Sequence, residues 1–405
     1  CGPSEKNPRS RHMLIYVKHR CLLLVSSLCL LALIGCSQAG VAPDAPLMAR
    51  GPEGSGCSAF ALMAEGAHVY GANLDYRDFC RGQIFVNPRG LHKHGVIPST
   101  TGVNAEWNAK YASLTFNFVG YQIAWAGMNE AGLVMSTMSL YDTEISPPDQ
   151  RPTLDSGNWM QYLLDTCSTV EEVLAADDVV RNLTVDHYLV ADRNGDATTI
   201  EFIDGRLVAH TGDDLPVKVL TNSPYSEVLR RWQNAGGPGN YGGMDSSSQR
   251  FCIAADRVTD FDGTSASDGV DYAFQTLHAI AGQRFSEHIS QWRLVFDTGA
   301  RRAYFKTHGD RTTRWIDLDD FNPWCGQPVQ MLDIHAPLAG NVGPELFDYS
   351  HTQALDQLLW FIDFWPGVGA TPATARSMLA YYETFACEPK LPCRRASRRV
   401  RPVAQ

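Results

Sequence analysis

Two spacings of apolar side chains alternate along this chain and divide it into blocks. From Cys57 the spacing is that of strands: CSAFALMAE, a turn at Gly66 and AHVYGANLDY predict an antiparallel hairpin. GQIFVNP, KYASLTFNF, YQIAWAGMN and GLVMSTMSL continue the strand pattern. Helical spacing takes over at 158–176, where Trp159, Tyr162, Leu163, Val170 and Val173 share one stripe and Ser168 is the expected cap of a second segment. HYLVADRNGDATTIEF, residues 187–202, places two alternating runs around Asn194-Gly195, a dipeptide suited to a tight hairpin turn. VKVLTN predicts another strand and SEVLRRWQN a helix. After an irregular Gly-rich loop at 236–248, RFCIAADRVTDF and DYAFQTLHAIAG read as helices, and SQWRLVFDT and RRAYFKTH as late strands turning at Gly299.

Between residues 57 and 386 there is no repeat and no sharp break in composition. The block order suits one α+β domain, sheets covered by helices, rather than a βαβ series. Residues 37–56 lack periodicity and are full of Gly, Pro and Ala, as in a linker or propeptide. Residues 1–36 read as a leader and export signal. Lys18, His19 and Arg20 precede the apolar run Cys21 to Ile34, which is shorter than the roughly 20 residues a bilayer span takes. The run ends Leu33-Ile34-Gly35-Cys36, resembling a bacterial lipobox that would put a lipid anchor on Cys36, the favoured reading; Ser37-Gln38-Ala39 also fits a cleavage site for soluble secretion. The expected location is outside the cytoplasm, as a periplasmic or outer-membrane lipoprotein or a secreted protein. Residues 387–405 form an arginine-rich tail expected to be disordered.

Composition adds an exclusion. With 44% hydrophobic and 19% charged residues over 405 positions the chain can bury a globular core. The formal charge is -10, and positive residues gather at the two ends, so the body is more acidic still. Such a surface repels phosphate backbones and argues against a nucleic-acid partner.

Four of the eleven cysteines lie in the leader. Cys57, Cys80, Cys167, Cys252, Cys325, Cys387 and Cys393 remain, an odd number that leaves at least one thiol free in an oxidising compartment. Cys387 with Cys393 is the expected local pair, with unbonded buried thiols the alternative. Cys57 stands out by position. Cleavage after the unhindered Gly56 would place its thiol on the residue bearing a free α-amine, whose pKa of roughly 8 makes it a usable base near neutrality. Either the thiol attacks its own upstream carbonyl or a protease makes the cut.

Cys57-Ser58 opening a strand, followed by Gly71-Ala72-Asn73-Leu74-Asp75-Tyr76, resembles the start of the choloylglycine hydrolase family, the linear amide C–N hydrolases that include bile salt hydrolases and penicillin V acylases. Gly127-Met128-Asn129-Glu130-Ala131-Gly132-Leu133, Leu220-Thr221-Asn222-Ser223-Pro224 and Ser248-Gln249-Arg250-Phe251 follow in the family's order, so the likeness runs from about 57 to about 310. The resemblance implies an Ntn-hydrolase αββα sandwich of two antiparallel sheets covered by helices. It implies that Cys57 attacks an acyl amide to form a thioester, that Asp75 holds the α-ammonium, that Asn222 donates to the oxyanion and that Arg250 lowers the thiol pKa. No metal and no organic cofactor are required, the partner is a small acyl amide, and relatives suggest a homo-oligomer. Two positions depart from the bile salt hydrolases: Ala72 stands where the family often has arginine, and Ser139 where those enzymes have asparagine.

Ordinary alternatives exist for each residue: a turn before Pro224 for Asn222, a surface cation for Arg250, a strand-end cap for Asp75. The competing function is a non-catalytic lipoprotein binding acylated small molecules in the same cleft. Elsewhere, His92 and His94 offer a His-x-His without an evident third ligand, Trp324-Cys325-Gly326 lacks the surroundings of a papain-type nucleophile, and Asp192 to Asp196 is explained by the hairpin. His187 is expected as a hydrogen-bonded core histidine. Trp360, Phe361, Phe364 and Trp365 are expected in the core, with a lid over an acyl pocket as the alternative.

Overall fold

The computed structural model describes residues 56–387 apart from 65, 96–102, 141–142, 155, 184–185 and 264. These residues fall within the unit Val41–Gln405. The leader, the lipobox at Cys36, nearly all of the 37–56 linker, Cys393 and the tail beyond 387 lie outside the described residues.

The opening hairpin forms as its spacing predicts: β1 (Gly56–Ala64) and β2 (Ala67–Tyr76) pair from Gly56 opposite Asp75 to Ala64 opposite Ala67. Gly66 turns the chain at φ 84°, a conformation glycine adopts without a Cβ penalty. The chain continues through β3 (Gln83–Asn87), β4 (Leu91–His94), β5 (Glu106–Asn108), β6 (Ser113–Asn117), β7 (Ala126–Asn129), β8 (Val134–Ser139) and β9 (Thr153–Leu154) into α1 (Ser156–Thr166) and α2 (Val170–Ala175). Thr169, not Ser168, caps α2: its side chain accepts from the Glu172 N–H, while the Ser168 hydroxyl donates to the Glu172 carboxylate. Next come β10 (Arg181–Asn182), β11 (Asp186–Ala191), β12 (Ala197–Ile203), β13 (Arg206–Thr211) and β14 (Val219–Leu220), then α3 (Tyr225–Gln233), α4 (Ser246–Thr259) and α5 (Ala266–Ala279). The last part holds β15 (Ile289–Asp297), β16 (Arg302–Thr307), β17 (Arg314–Asp317), β18 (Gln330–Asp333), β19 (Gly340–Asn341), β20 (Phe347–Asp348), α6 (His351–Phe364), α7 (Pro372–Tyr382) and β21 (Ala386–Cys387).

Two large sheets result, ordered β14-β1-β2-β15-β16-β17-β19 and β13-β12-β11-β8-β7-β6-β3-β18-β20. Their inner faces meet in an aromatic layer. Phe116 of the second sheet packs edge-on against Phe296 and Phe305 of the first, and the buried Tyr70 hydroxyl bonds the Ser136 hydroxyl and the Leu189 carbonyl across the gap. Helices α4 and α5 cover the outside of the first sheet over β1, β2 and β15. On the other side Trp159, Met160 and Leu163 of α1 pack with Met135, Tyr188 and Ile200 of the second sheet. Layered helix, sheet, sheet, helix, this is the sandwich the resemblance implied. With both faces covered, β1 and β2 read as nearly continuous apolar runs rather than clean alternation.

The α6 aromatics pack inward: Phe118 lies against Trp360, Phe361 and Phe364, and Tyr76 against Phe364. His187 is buried with Nδ1 3.2 Å from Glu201. His92 faces Asn108 and Glu106, His94 meets Tyr381 edge-on, and among the described residues no three His, Cys, Asp or Glu side chains group to hold a metal ion. No helix among them is long and apolar enough to cross a membrane.

The expected local pair of Cys387 with Cys393 is replaced by a disulfide from Cys387 to Cys325, two residues 62 apart. The exchange has a backbone cause. β21 pairs with β4, and the 322–327 loop hangs on the β3–β4 turn through the Cys325 N–H to Arg89 carbonyl bond at 2.8 Å. Cys387 is therefore part of the ordered fold rather than the first residue of a tail. Replacing Cys387 by Ser should lower the unfolding free energy by about 2–4 kcal/mol through lost loop constraint. Denaturant titration checks this, and an unchanged midpoint would refute a structural role.

Candidate active site

The register of the first sheet builds the site. β1 pairs with β14 so that Ala59 lies opposite Leu220, and continuing that antiparallel register brings Asn222 alongside Cys57. β14 stops at Leu220 because the chain turns through Thr221 to Pro224 into α3. The Cys57 N–H donates to Asn222 Oδ1 at 2.7 Å, and Asn222 Nδ2 donates to the Ser139 carbonyl at 3.0 Å.

Arg250 arrives from the first turns of α4, which Asp245 caps by accepting from the Ser248 N–H. It is 3% exposed, so the surface-cation alternative fails. Its guanidinium donates to the Cys57 carbonyl, to Ser58 Oγ at 2.6 Å and to Asn222 Oδ1 at 2.9 Å. One planar cation thus joins Cys57 and Ser58 to the Asn222 turn, a fork geometry lysine lacks.

Asp75 is fully buried directly across β1–β2 from Gly56. Its Oδ1 accepts from the Ser290 hydroxyl, while Oδ2 has no hydrogen-bond partner among the described residues. A Cβ added to Gly56 would stand 3.6 Å from both Asp75 Oδ2 and Arg250 Nη2, so the unpartnered oxygen lies beside the 56–57 junction. Gly282 is required on the other side, since a Cβ there would come within 2.9 Å of the Asp75 carboxyl carbon.

Burial dominates the charges. It pushes the Cys57 thiol up to about 12, aided by the Asp75 charge and opposed by the Asp75 N–H, Arg250 and the Trp125 indole. Arg250 does pull the thiol downward, as expected from the sequence, but desolvation outweighs it. Asp75 is likewise raised by burial against the opposing pull of Arg250, the Ser290 hydroxyl and Arg293. With Gly56 attached, the Cys57 nitrogen is an amide and offers no base.

All four predicted residues therefore meet at one place. Sequence reasoning placed Asn222 as an oxyanion donor only. The structure also uses its oxygen, as acceptor for Cys57 and Arg250. Ser290, Gly282, Trp125, Ser247 and Glu201 were missed, because each meets the site across the fold and none belongs to a quoted motif. Ala72 is buried opposite Ala59 and Leu294, and Ser139 contributes its backbone carbonyl.

A sandwich of two helix-covered sheets with Cys57 at the start of β1, beside the edge strand β14, is an Ntn-hydrolase fold. Residues 57–235 match the model of the linear amide C–N hydrolases, choloylglycine hydrolase family. The chain is 24% identical over 300 residues to the penicillin V acylase of Pectobacterium atrosepticum, covering 62% of this chain and 77% of that protein. In structure it resembles penicillin V acylase from Agrobacterium tumefaciens, with TM-score 0.63 and 23% identity over 73% of this chain and 98% of that one. It also resembles a mutant conjugated bile acid hydrolase from Clostridium perfringens, with TM-score 0.57 and 17% identity over 70% and 98%.

The raised thiol has a testable sign. An unfolded cysteine ionises near its ordinary 9.0, whereas the folded one keeps its proton to about 12, so stability contributed by this group is lost as pH climbs through that window. Alkylation of Cys57 in the chain that retains Gly56, followed by peptide mass spectrometry, should accordingly stay slow through pH 9. An inflection at or below pH 8 would contradict the burial argument.

Proposed function

We propose that the chain is cut between Gly56 and Cys57, and that the mature Cys57 hydrolyses a linear amide joining an acyl group to an amine or amino acid. The observation that carries this reading is the convergence of Asn222 and Arg250 on Cys57, with Asp75 Oδ2, beside the 56–57 junction, lacking a partner among the described residues. Cleavage turns the Cys57 amide nitrogen into an amine. That amine takes the thiol proton, and Asp75 and Asn222 Oδ1 are placed to accept from the resulting ammonium. The sulfur attacks the substrate carbonyl, and the second Asn222 amide hydrogen, not used by Ser139, is available to the oxyanion. Loss of such a donor typically costs roughly 3 kcal/mol of transition-state stabilisation. The ammonium then returns its proton to the leaving amine, and water opens the Cys57 thioester with the amine as base.

Penicillin V is the first substrate to test, since the acylases named above are named for it; Ala72 and Ser139 argue against bile salt conjugates. On this reading the enzyme acts as a homo-oligomer. Maturation at Cys57 lies downstream of any lipid on Cys36, so processing separates the enzyme from that anchor and releases it outside the cytoplasm.

Mass spectrometry of purified active protein should find Cys57 at its N-terminus, and Cys57→Ala should abolish hydrolysis across a panel of acyl amides. Full activity in a chain that retains residues 37 to 56, or in the alanine variant, would refute the mechanism.

A further inference from the structure

Asn222 needs a fixed backbone as well as a side chain, and the structure supplies one from two sides. The Ser247 hydroxyl touches three consecutive residues of the turn. It accepts from the Asn222 N–H at 3.0 Å and from the Ser223 hydroxyl at 2.8 Å, and lies 3.0 Å from Thr221 Oγ1. Thr221 in turn donates to the Ser247 carbonyl at 3.2 Å. With the Thr221 proton committed there, Ser247 donates its own proton to Thr221 Oγ1. One hydroxyl then uses both acceptor sites and its donor on a single turn. Ser247 precedes Arg250 by one helical turn on α4, so the same helix end grips the Asn222 backbone through Ser247 and its side chain through Arg250.

The far end of the turn is held by Glu201. Pro224 is the N-cap of α3 and makes no side-chain cap bond. The Tyr225 N–H is instead accepted by the fully buried Glu201 carboxylate, at 3.0 and 3.2 Å to its two oxygens. His187 at 3.2 Å and His210 at 3.7 Å flank that carboxylate.

We propose that Ser247 and Glu201 are positioning residues for the amide-cleavage step, clamping the Thr221–Tyr225 segment so that Asn222 stays at hydrogen-bond distance from residue 57. This rests on the catalytic reading of Asn222 given above. Neither residue touches the reacting atoms. Both act through Asn222, and displacement of a catalytic group by about 1 Å can cost on the order of 100-fold in rate.

The test is a double-mutant cycle with a structural arm, performed on the processed enzyme with its best acyl amide. Ser247→Ala should lower kcat by about 10- to 100-fold with little change in KM, and Ser247→Thr, which keeps the hydroxyl, should recover most of the loss. In an Asn222→Ala background Ser247→Ala should cost almost nothing further, because its effect runs through Asn222. Glu201→Ala should follow the same pattern, with Glu201→Gln milder because it keeps an acceptor for Tyr225. Equal losses in both backgrounds, or unaltered kcat, would overturn the clamp. Crystal structures of Ser247→Ala and Glu201→Ala decide it independently of activity: the Asn222 to Cys57 contact, 2.7 Å here, should lengthen or break, and an undisturbed contact overturns the proposal. If Asn222→Ala is as active as wild type, the catalytic reading of Asn222 falls, while the crystallographic comparison still judges the clamp.

Discussion

The site depends on one buried guanidinium. Taking Arg250 out of water costs several kcal/mol unless its donors are satisfied and a counter-charge is near. The Cys57 carbonyl, Ser58 Oγ and Asn222 Oδ1 satisfy the donors, and Asp75 supplies the nearby negative charge. Because those partners come from β1, the turn after β14 and β2, no single element can shift without stranding a charge. The geometry around Cys57 is therefore set by the expense of leaving Arg250 unpaired, more than by the shape of any one loop.

The sandwich makes that constraint workable. β1 sits between β14 and β2 in the first sheet, covered by α4 on one side and by the second sheet on the other. A strand so enclosed has a fixed register, and a one-residue slip would turn every side chain to the wrong face. The same register that pairs Gly56 with Asp75 and Ala59 with Leu220 delivers both the carboxylate and the amide to the same end of β1. The geometry around Cys57 is a consequence of strand pairing, and Ser290 and Gly282 refine it by fixing the Asp75 carboxylate from behind.

What could be read from the sequence was what local chemistry decides. The β1–β2 hairpin, the Asn194-Gly195 hairpin and the amphipathic α1 are short-range structures, and turn residues and apolar spacing suffice for them. VKVLTN was legible as a strand, but only Val219 and Leu220 pair, because the chain then turns through Thr221 to Pro224 into α3. Cys387 was assigned to its neighbour because sequence distance is a poor guide once β21 returns to β4. Ser247 was invisible for another reason. It sits in a serine run that reads as loop, and its meaning comes from a turn 25 residues upstream. The thiol's net shift was not legible either, since a nearby arginine can be read from a motif whereas the extent of desolvation cannot.

That desolvation bears on what the proposed cut would change. A thiol held protonated by burial is a weak nucleophile, since the thiolate is the reactive form. Arg250 alone does not overcome the desolvation, and Asp75 works against it. On the proposed route, removal of residue 56 changes both terms at once. It opens the sulfur's end of β1, and it converts an amide into an amine that can take the thiol proton and give Asp75 Oδ2 a cationic partner. The negative charge that opposes ionisation in the uncut chain then stabilises the zwitterion that ionisation creates. On this route burial, aided by the Asp75 charge, holds Cys57 protonated before the cut, and the same carboxylate is placed to partner the ammonium formed afterwards.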